Sequence, residues 1–539
     1  MTESAYSDRF TLDALPPRDQ WPDLIHLEEF GYPERLNVAT VLLDEHVRQG
    51  HGAAPCVGAP GANGAVMWTY EELRGRAHRI AHVLRDHCAL VPGERVLLRA
   101  PNTPMLVACY LGVLLAGGVV VASMPLLRAK ELEFMIVRAK IRVGLCDGRL
   151  VEELSKARGA ATELETVLTF GNGEPDSGEL ERLMATSPDV FDAVDTSAED
   201  PCLIAFTSGT TGNAKGTMHF HRDLLAVCDC FPPQCLRATS DDIFIGSPPL
   251  AFTFGTGGLM WFPMRVGAST VLLEQPSPKN LAAAIESCRP TICVTSPTAY
   301  RMMLTQGHDL GSLRHGISAG ETLPRATYES FLEHTGVRLI DGIGSTEMLH
   351  IFISSPPEDI VPGSTGRPVR HYEAKVIDDQ GERVVGQVGR LAVRGPTGCR
   401  YLDDPRQLEY VHRGWNLTGD AYVEDENGHF WYQARTDDMI VSAGYNIAGP
   451  EVESALMLHP AVQDCAVVGV PDEERGHIVK AFIVANAEMT CDDGLVRELQ
   501  EFVKETIAPY KYPRAIEFLD ALPRTATGKV QRYVLRNRG

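Results

Sequence analysis

Thr207-Ser208-Gly209-Thr210-Thr211-Gly212-Asn213-Ala214-Lys215-Gly216 follows directly on the apolar run 203–206. This order predicts a strand that runs into a glycine- and hydroxyl-rich turn. Glycines let backbone N–H groups converge on an anion, hydroxyls add donors without bulk, and Lys215 supplies a positive charge. Such a loop suits a polyphosphate. It is not a P-loop of the Gly-Lys-Ser/Thr kind, because Lys215 stands between Ala214 and Gly216. A purely structural turn is the competing reading, and a string this rich in donors argues against it.

Outward from the loop the chain reads as α/β. Thr69 and Glu72 make a capping-box pattern ahead of Leu73, Ala77, Ile80, Ala81 and Leu84, which recur at helical spacing. Strand-like runs at 95–99, 203–206, 291–295 and 337–340 alternate with helix-like stretches, which predicts largely buried sheets. Residues 105–122 carry no charge, but Gly117 and Gly118 interrupt them. A buried helix followed by a core strand is therefore expected there, not a membrane span. Near 434–438 the sequence changes character. The expected organisation is a large multi-sheet amino-terminal domain, residues 1–436, and a small α+β carboxy-terminal domain, residues 437–539.

The 539 residues carry 71 acidic and 50 basic side chains, a formal charge of −21, which disfavours nucleic acid as a partner. Any anionic ligand must be held by local cations and backbone amides. The 13 cysteines contain no CxxC pair, and the first residues show no basic-then-apolar pattern. The cytoplasm is the expected compartment.

Further motifs follow in order: Ser318-Ala319-Gly320-Glu321, Asp341-Gly342-Ile343-Gly344-Ser345-Thr346-Glu347, the stretch 415–420 and the stretch 523–529. Together with the loop they resemble the adenylate-forming enzymes, the superfamily of acyl-CoA ligases, peptide-synthetase adenylation domains and luciferases. The resemblance spans nearly the whole chain. It implies ATP, Mg²⁺ and coenzyme A as ligands, a monomer or homodimer, and two chemical steps. A carboxylate attacks the α-phosphate of ATP to give an acyl adenylate and pyrophosphate, and a thiol then displaces AMP.

The same resemblance assigns roles. Thr207, Ser208, Gly209, Thr210, Thr211, Gly212 and Lys215 would hold phosphates, and Gly320, Glu321, Asp341, Gly342, Ile343 and Thr346 would border the rest of the nucleotide. Glu347 would be catalytic and meet the magnesium ion, a task for a hard anionic oxygen. Asp420 would accept both ribose hydroxyls, with Arg435 beside it. Lys529 would be the catalytic lysine that offsets charge as two anions approach. Asp437 would be the hinge about which the mobile small domain turns, withdrawing Lys529 and presenting Gly444 and Tyr445 to the pantetheine arm of coenzyme A. Taken singly, these residues have plainer readings as helix-start, turn, loop and tail charges. Ile343 departs from the aromatic residue common at its place in the superfamily.

The acid is read from 250–256, Leu-Ala-Phe-Thr-Phe-Gly-Thr, which holds no acidic side chain. A buried alkylammonium would lack its counter-charge there, whereas Phe252 and Phe254 offer flat apolar walls to an aromatic carboxylic acid. The stretch 344–352 looks like that of benzoate-CoA and 2-aminobenzoate-CoA ligases, which implies an aryl site of Phe254, Gly255, Ala319, Gly344 and His350. Residues 15–22 and 32–37 are similar to the 2-aminobenzoate branch. The expected activity is an aryl-CoA ligase, 2-aminobenzoate first. Benzoate, a carrier-protein acceptor, and a nucleotide-binding regulator without chemistry are the alternatives. His219, His221, Cys228, Cys230 and Cys235 match no zinc-finger spacing and read instead as part of a helix after the loop, with partly buried cysteines.

Overall fold

The computed structural model describes residues 3–171, 177–207, 214–442, 445–472, 475–487, 489–524 and 530–538, with backbone alone at 437, 441, 445, 446 and 476. Two α/β sheets form the bulk of the large unit. One has six strands in the order Thr166–Phe170, Val143–Asp147, Arg95–Arg99, Val119–Ser123, Pro201–Thr207, Lys215–Phe220. All its neighbours are parallel except the last two strands, which form an antiparallel hairpin. The other has nine strands, parallel through its centre and antiparallel at both ends. Its strand Leu339–Gly344 runs directly toward Glu347.

Helix Tyr70–His82 begins as the sequence predicts. Thr69 accepts from the Glu72 amide at 3.2 Å while the Glu72 carboxylate accepts from the Thr69 amide at 2.8 Å, satisfying N–H groups that a helix start leaves without partners. Its apolar face, Leu73, Ala77, Ile80 and Ala81, lies against helix Pro104–Leu115. That second helix is buried from Met105 to Leu115 on every side, which is why its sequence shows no polar stripe. Its 12 residues reach about 18 Å, well short of the roughly 30 Å of a bilayer core. Gly117, at φ +72°, reverses the chain into strand Val119–Ser123. Among the described residues no helix is long and apolar enough to cross a membrane.

A five-stranded antiparallel sheet follows, built on Val388–Arg394 and Trp415–Glu424 and closed by Phe430–Arg435. The single 3-10 turn Thr436–Asp438 leads from it to the carboxy-terminal elements. These are a three-stranded sheet, Val462–Asp472, Gly476–Ala485 and Ala515–Phe518, packed with helices Gly449–Leu456 and Asp493–Thr506 over their own apolar cluster. Leu495, Leu499 and Val503 form the inner stripe of the second helix, and Asp492 caps it. The chain is thus α/β with several sheets and a small carboxy-terminal domain.

Where the two buried helices cross, Gly112 leaves no room for a side chain. A Cβ there would stand 2.7 Å from Ile80 Cγ2 and 3.0 Å from the Ala77 carbonyl oxygen. Gly112→Val should therefore lower stability by about 1–3 kcal/mol, the usual cost of overpacking, read as a lower denaturant midpoint with an unchanged slope.

Candidate active site

The strand entering the loop and the strand leaving it are two sides of one hairpin, with Thr207 paired to Lys215. This corrects one expectation: His219 lies on the second strand, and the helix, His221–Phe231, begins only afterwards. Ser208, Gly209, Thr210, Thr211, Gly212, Gly444 and Lys529 lie outside the described residues, as do the side chains of Asp437 and Tyr445.

Lys215 Nζ stands 3.9 Å from Glu347 Oε1 and 4.7 Å over the Tyr401 ring. Tyr401 donates its hydroxyl to the same Glu347 oxygen at 2.6 Å. Glu347 is thereby fixed at 8% exposure with a hydroxyl and an ammonium beside it. The loop carrying it is anchored to the hairpin by His219, whose Nε2 donates to the Thr346 carbonyl at 2.8 Å. Thr207 Oγ1 is buried without a hydrogen-bond partner among the described residues. A carboxylate and an unengaged hydroxyl at a lysine are oxygen donors of the kind Mg²⁺ prefers, so these residues fit that ion.

Several residues expected to border the nucleotide lie around two buried tyrosines. Burial raises the Tyr410 hydroxyl pKa, and the charges of Glu347 and Asp420 add to it. Burial likewise raises Tyr422, with Asp420 and Asp341 contributing. Glu347, Asp420 and Asp341, far apart in sequence, therefore border one region. Asp341 loses solvation and is pushed up to about 8. Asp420, 8% exposed, pairs in register with Arg435, whose Nη1 donates to Oδ1 at 2.9 Å. Gly419, at φ +75°, makes room, since a Cβ would lie 2.9 Å from Arg435 Nη2. Glu321 accepts from Thr298 Oγ1 at 2.7 Å and faces Arg524 of the small domain at 3.4 Å. Gly320 has φ +86°.

A second focus follows Glu347 in the chain, at His350. His350 packs against Phe254, Phe262 and Phe231, with ring centroids 5.7, 4.4 and 6.2 Å away. Burial lowers its pKa to about 3, the Phe254 backbone acting weakly the other way, so the ring is neutral. Neither ring nitrogen has a hydrogen bond of full geometry among the described residues. Leu349 ahead of it takes φ +73°. Small residues admit the ring: a Cβ on Gly257 would fall 2.3 Å from His350 Cδ2, and one on Gly344 2.6 Å from the His350 carbonyl oxygen. Gly255 sits against the Pro249 carbonyl, 2.1 Å from an added Cβ, and Ala319 is buried. Gly342 packs on Ile351, and Ile343 is partly buried against the core. Phe252 takes part through its backbone, accepting from the Thr256 amide at 2.9 Å.

Sequence reading missed Tyr401, Tyr410, Phe262 and Gly257. The tyrosines belong to no motif, and Phe262 and Gly257 read as ordinary positions of an apolar run. It also missed Arg400, which pairs with Asp223 at 2.7 Å with both side chains fully buried. As expected of residues that match no zinc-finger spacing, His221 and Cys228 take ordinary partners: His221 Nδ1 accepts from the Val38 amide at 3.2 Å, and Cys228 donates to the Leu224 carbonyl at 3.1 Å.

The family model for AMP-binding enzymes matches residues 43–400, and the model for the carboxy-terminal domain of AMP-binding enzymes matches residues 451–529. A benzoate–CoA ligase of Thauera aromatica is 35% identical over 94% of this chain and 96% of its own length. The solved anthranilate CoA ligase AuaEII in complex with anthranoyl-AMP is 34% identical with a TM-score of 0.89, covering 94% of this chain and 98% of that one. A benzoate CoA ligase from Burkholderia xenovorans is 33% identical with a TM-score of 0.84, over 93% and 100%.

Asp223→Ala would leave Arg400 buried without its partner, and should cost about 3–5 kcal/mol of unfolding free energy. A separate pH effect follows from His219, His221 and His350, lowered by burial to about 4, 3 and 3. The unfolded chain binds their protons near pH 6.5 and the folded chain does not. Their contribution is complete above about pH 6.5 and is lost as pH falls toward 3–4, so stability measured by denaturant should drop across that window. His221→Gln should flatten the drop.

Proposed function

The chain belongs to the family of AMP-binding enzymes, and from that membership we propose that it is an ATP-dependent ligase joining an aromatic carboxylic acid, 2-aminobenzoate foremost, to coenzyme A in the cytoplasm. The observation that carries the aryl reading is the wall of Phe254, Phe262 and a neutral His350. Flat rings match an aryl face, and a neutral imidazole makes no demand for a charged substrate group. The preference for 2-aminobenzoate is supported by residues 15–22 and 32–37, which are similar to the 2-aminobenzoate branch. Likeness to both benzoate and anthranilate CoA ligases supports the aryl class.

In this reading Lys215, Thr207 and the loop 208–212 hold the ATP phosphates. Tyr401 keeps the Glu347 carboxylate in one orientation, and Glu347 would hold Mg²⁺, which neutralises phosphate charge when bound. Asp420, steadied by Arg435, meets the ribose, while Glu321, Asp341 and Thr346 border the nucleotide. A substrate carboxylate oxygen bonds to the α-phosphorus as pyrophosphate leaves, with Lys529 offsetting the charge of the two anions. The small domain, residues 437–539, then turns about Asp437 and brings Gly444 and Tyr445 to coenzyme A. Its sulfur attacks the acyl carbon and AMP departs.

Two measurements test this. Coenzyme-A-dependent AMP release should be highest with 2-aminobenzoate among benzoate, 2-aminobenzoate, salicylate and a medium-chain fatty acid; highest turnover with the fatty acid would refute the aryl reading. Lys529→Ala should slow adenylate formation by about 10²–10³-fold while still converting a supplied aryl adenylate to the thioester. Equal loss of both half-reactions would refute that role.

A further inference from the structure

Away from this site, three side chains from two distant segments converge. His26 immediately precedes the 3-10 turn Leu27–Phe30 and Glu29 lies within it, and His371 lies between strands Arg367–Pro368 and Glu373–Ile377. His26 Nδ1 is 2.6 Å from Glu29 Oε1, and His371 Nδ1 is 3.4 Å from Glu29 Oε2. One ligand atom of each lies within 4.8 Å of those of the other two, and no other group of three His, Cys, Asp or Glu side chains is so placed among the described residues.

We propose that His26, Glu29 and His371 form a site for a divalent transition-metal ion of the zinc class, which clips the amino-terminal segment to the antiparallel sheet. Two imidazoles and one carboxylate are a known Zn²⁺ donor set, with the fourth position left to water. Ligand atoms about 2.0–2.2 Å from a tetrahedral ion stand roughly 3.3 Å apart, close to the spacing already present, so small side-chain rotations suffice. Imidazole donors favour Zn²⁺, Cu²⁺ and Ni²⁺ over Mg²⁺.

The inner ligand is prepared for this. The His371 side chain is only 7% exposed and its ring packs 4.7 Å from Phe30. Both histidines hold left-handed backbone, φ +63° and +70°, which outside glycine persists only where the surroundings fix it.

Titrating zinc chloride into the full chain by calorimetry tests the site. One high-affinity ion per chain is expected, with affinity falling at least about tenfold in Glu29→Gln and in His26→Ala, both at exposed positions where folding is not at stake. Cobalt(II) in place of zinc should give the visible bands of a tetrahedral centre, absent in Glu29→Gln. Zinc affinity and stoichiometry unchanged in both variants would overturn the proposal, as would no zinc uptake by the unaltered chain below about millimolar concentration.

Discussion

A fully buried ion pair between Arg400 and Asp223 holds the site in register. Taking two charges from water costs several kcal/mol for each, which only good geometry repays. Here Asp223 also accepts the Phe220 amide at 3.0 Å and lies in the first turn of its helix, where a negative charge is favoured. The Arg400 guanidinium lies 4.0 Å from the Phe220 ring centre and 5.0 Å from that of Trp21, a stacking that lysine could not reproduce. Because Arg400 is pinned, its neighbour Tyr401 has one place to go. That place is against Lys215 and Glu347.

The elements most legible in the sequence were those with local causes. The capping box at Thr69 and the buried helix before Gly117 each carry their own signal in spacing or capping residues. The loop at 207–216 stood out as a candidate by composition, and Glu347, Asp420 and His350 as candidates by their motifs. What could not be read was long-range. Nothing near Asp420 announces that a strand partner will set Arg435 on its carboxylate, and nothing near Lys215 points to Tyr401. These contacts depend on which strands pair, and pairing is decided by the whole sheet. The hairpin after the loop was misread for the same reason: His219 follows a turn in sequence as a helix start would, and only its pairing with Leu203 makes it strand.

The cluster of rings around His350 is a problem of fit rather than of charge. His350 reaches Phe254 and Phe262 because Gly257 and Gly344 yield the space of a side chain. A close-packed interior transmits such choices, so the shape of this ring cluster is set in part by glycines that contribute no ring to it.

The hairpin formed by Pro201–Thr207 and Lys215–Phe220 ends its sheet, and an end strand ordinarily offers a row of unpaired backbone groups to any extended chain that meets it. Here the segment around Arg400 lies along it: Met218 donates to the Arg400 carbonyl at 2.8 Å, and Leu402 to that of Gly216 at 2.8 Å. The pairing that delivers Tyr401 therefore also closes an edge against strand addition. A chain that lost its grip on Arg400 would uncover a template for aggregation at the mouth of its own loop.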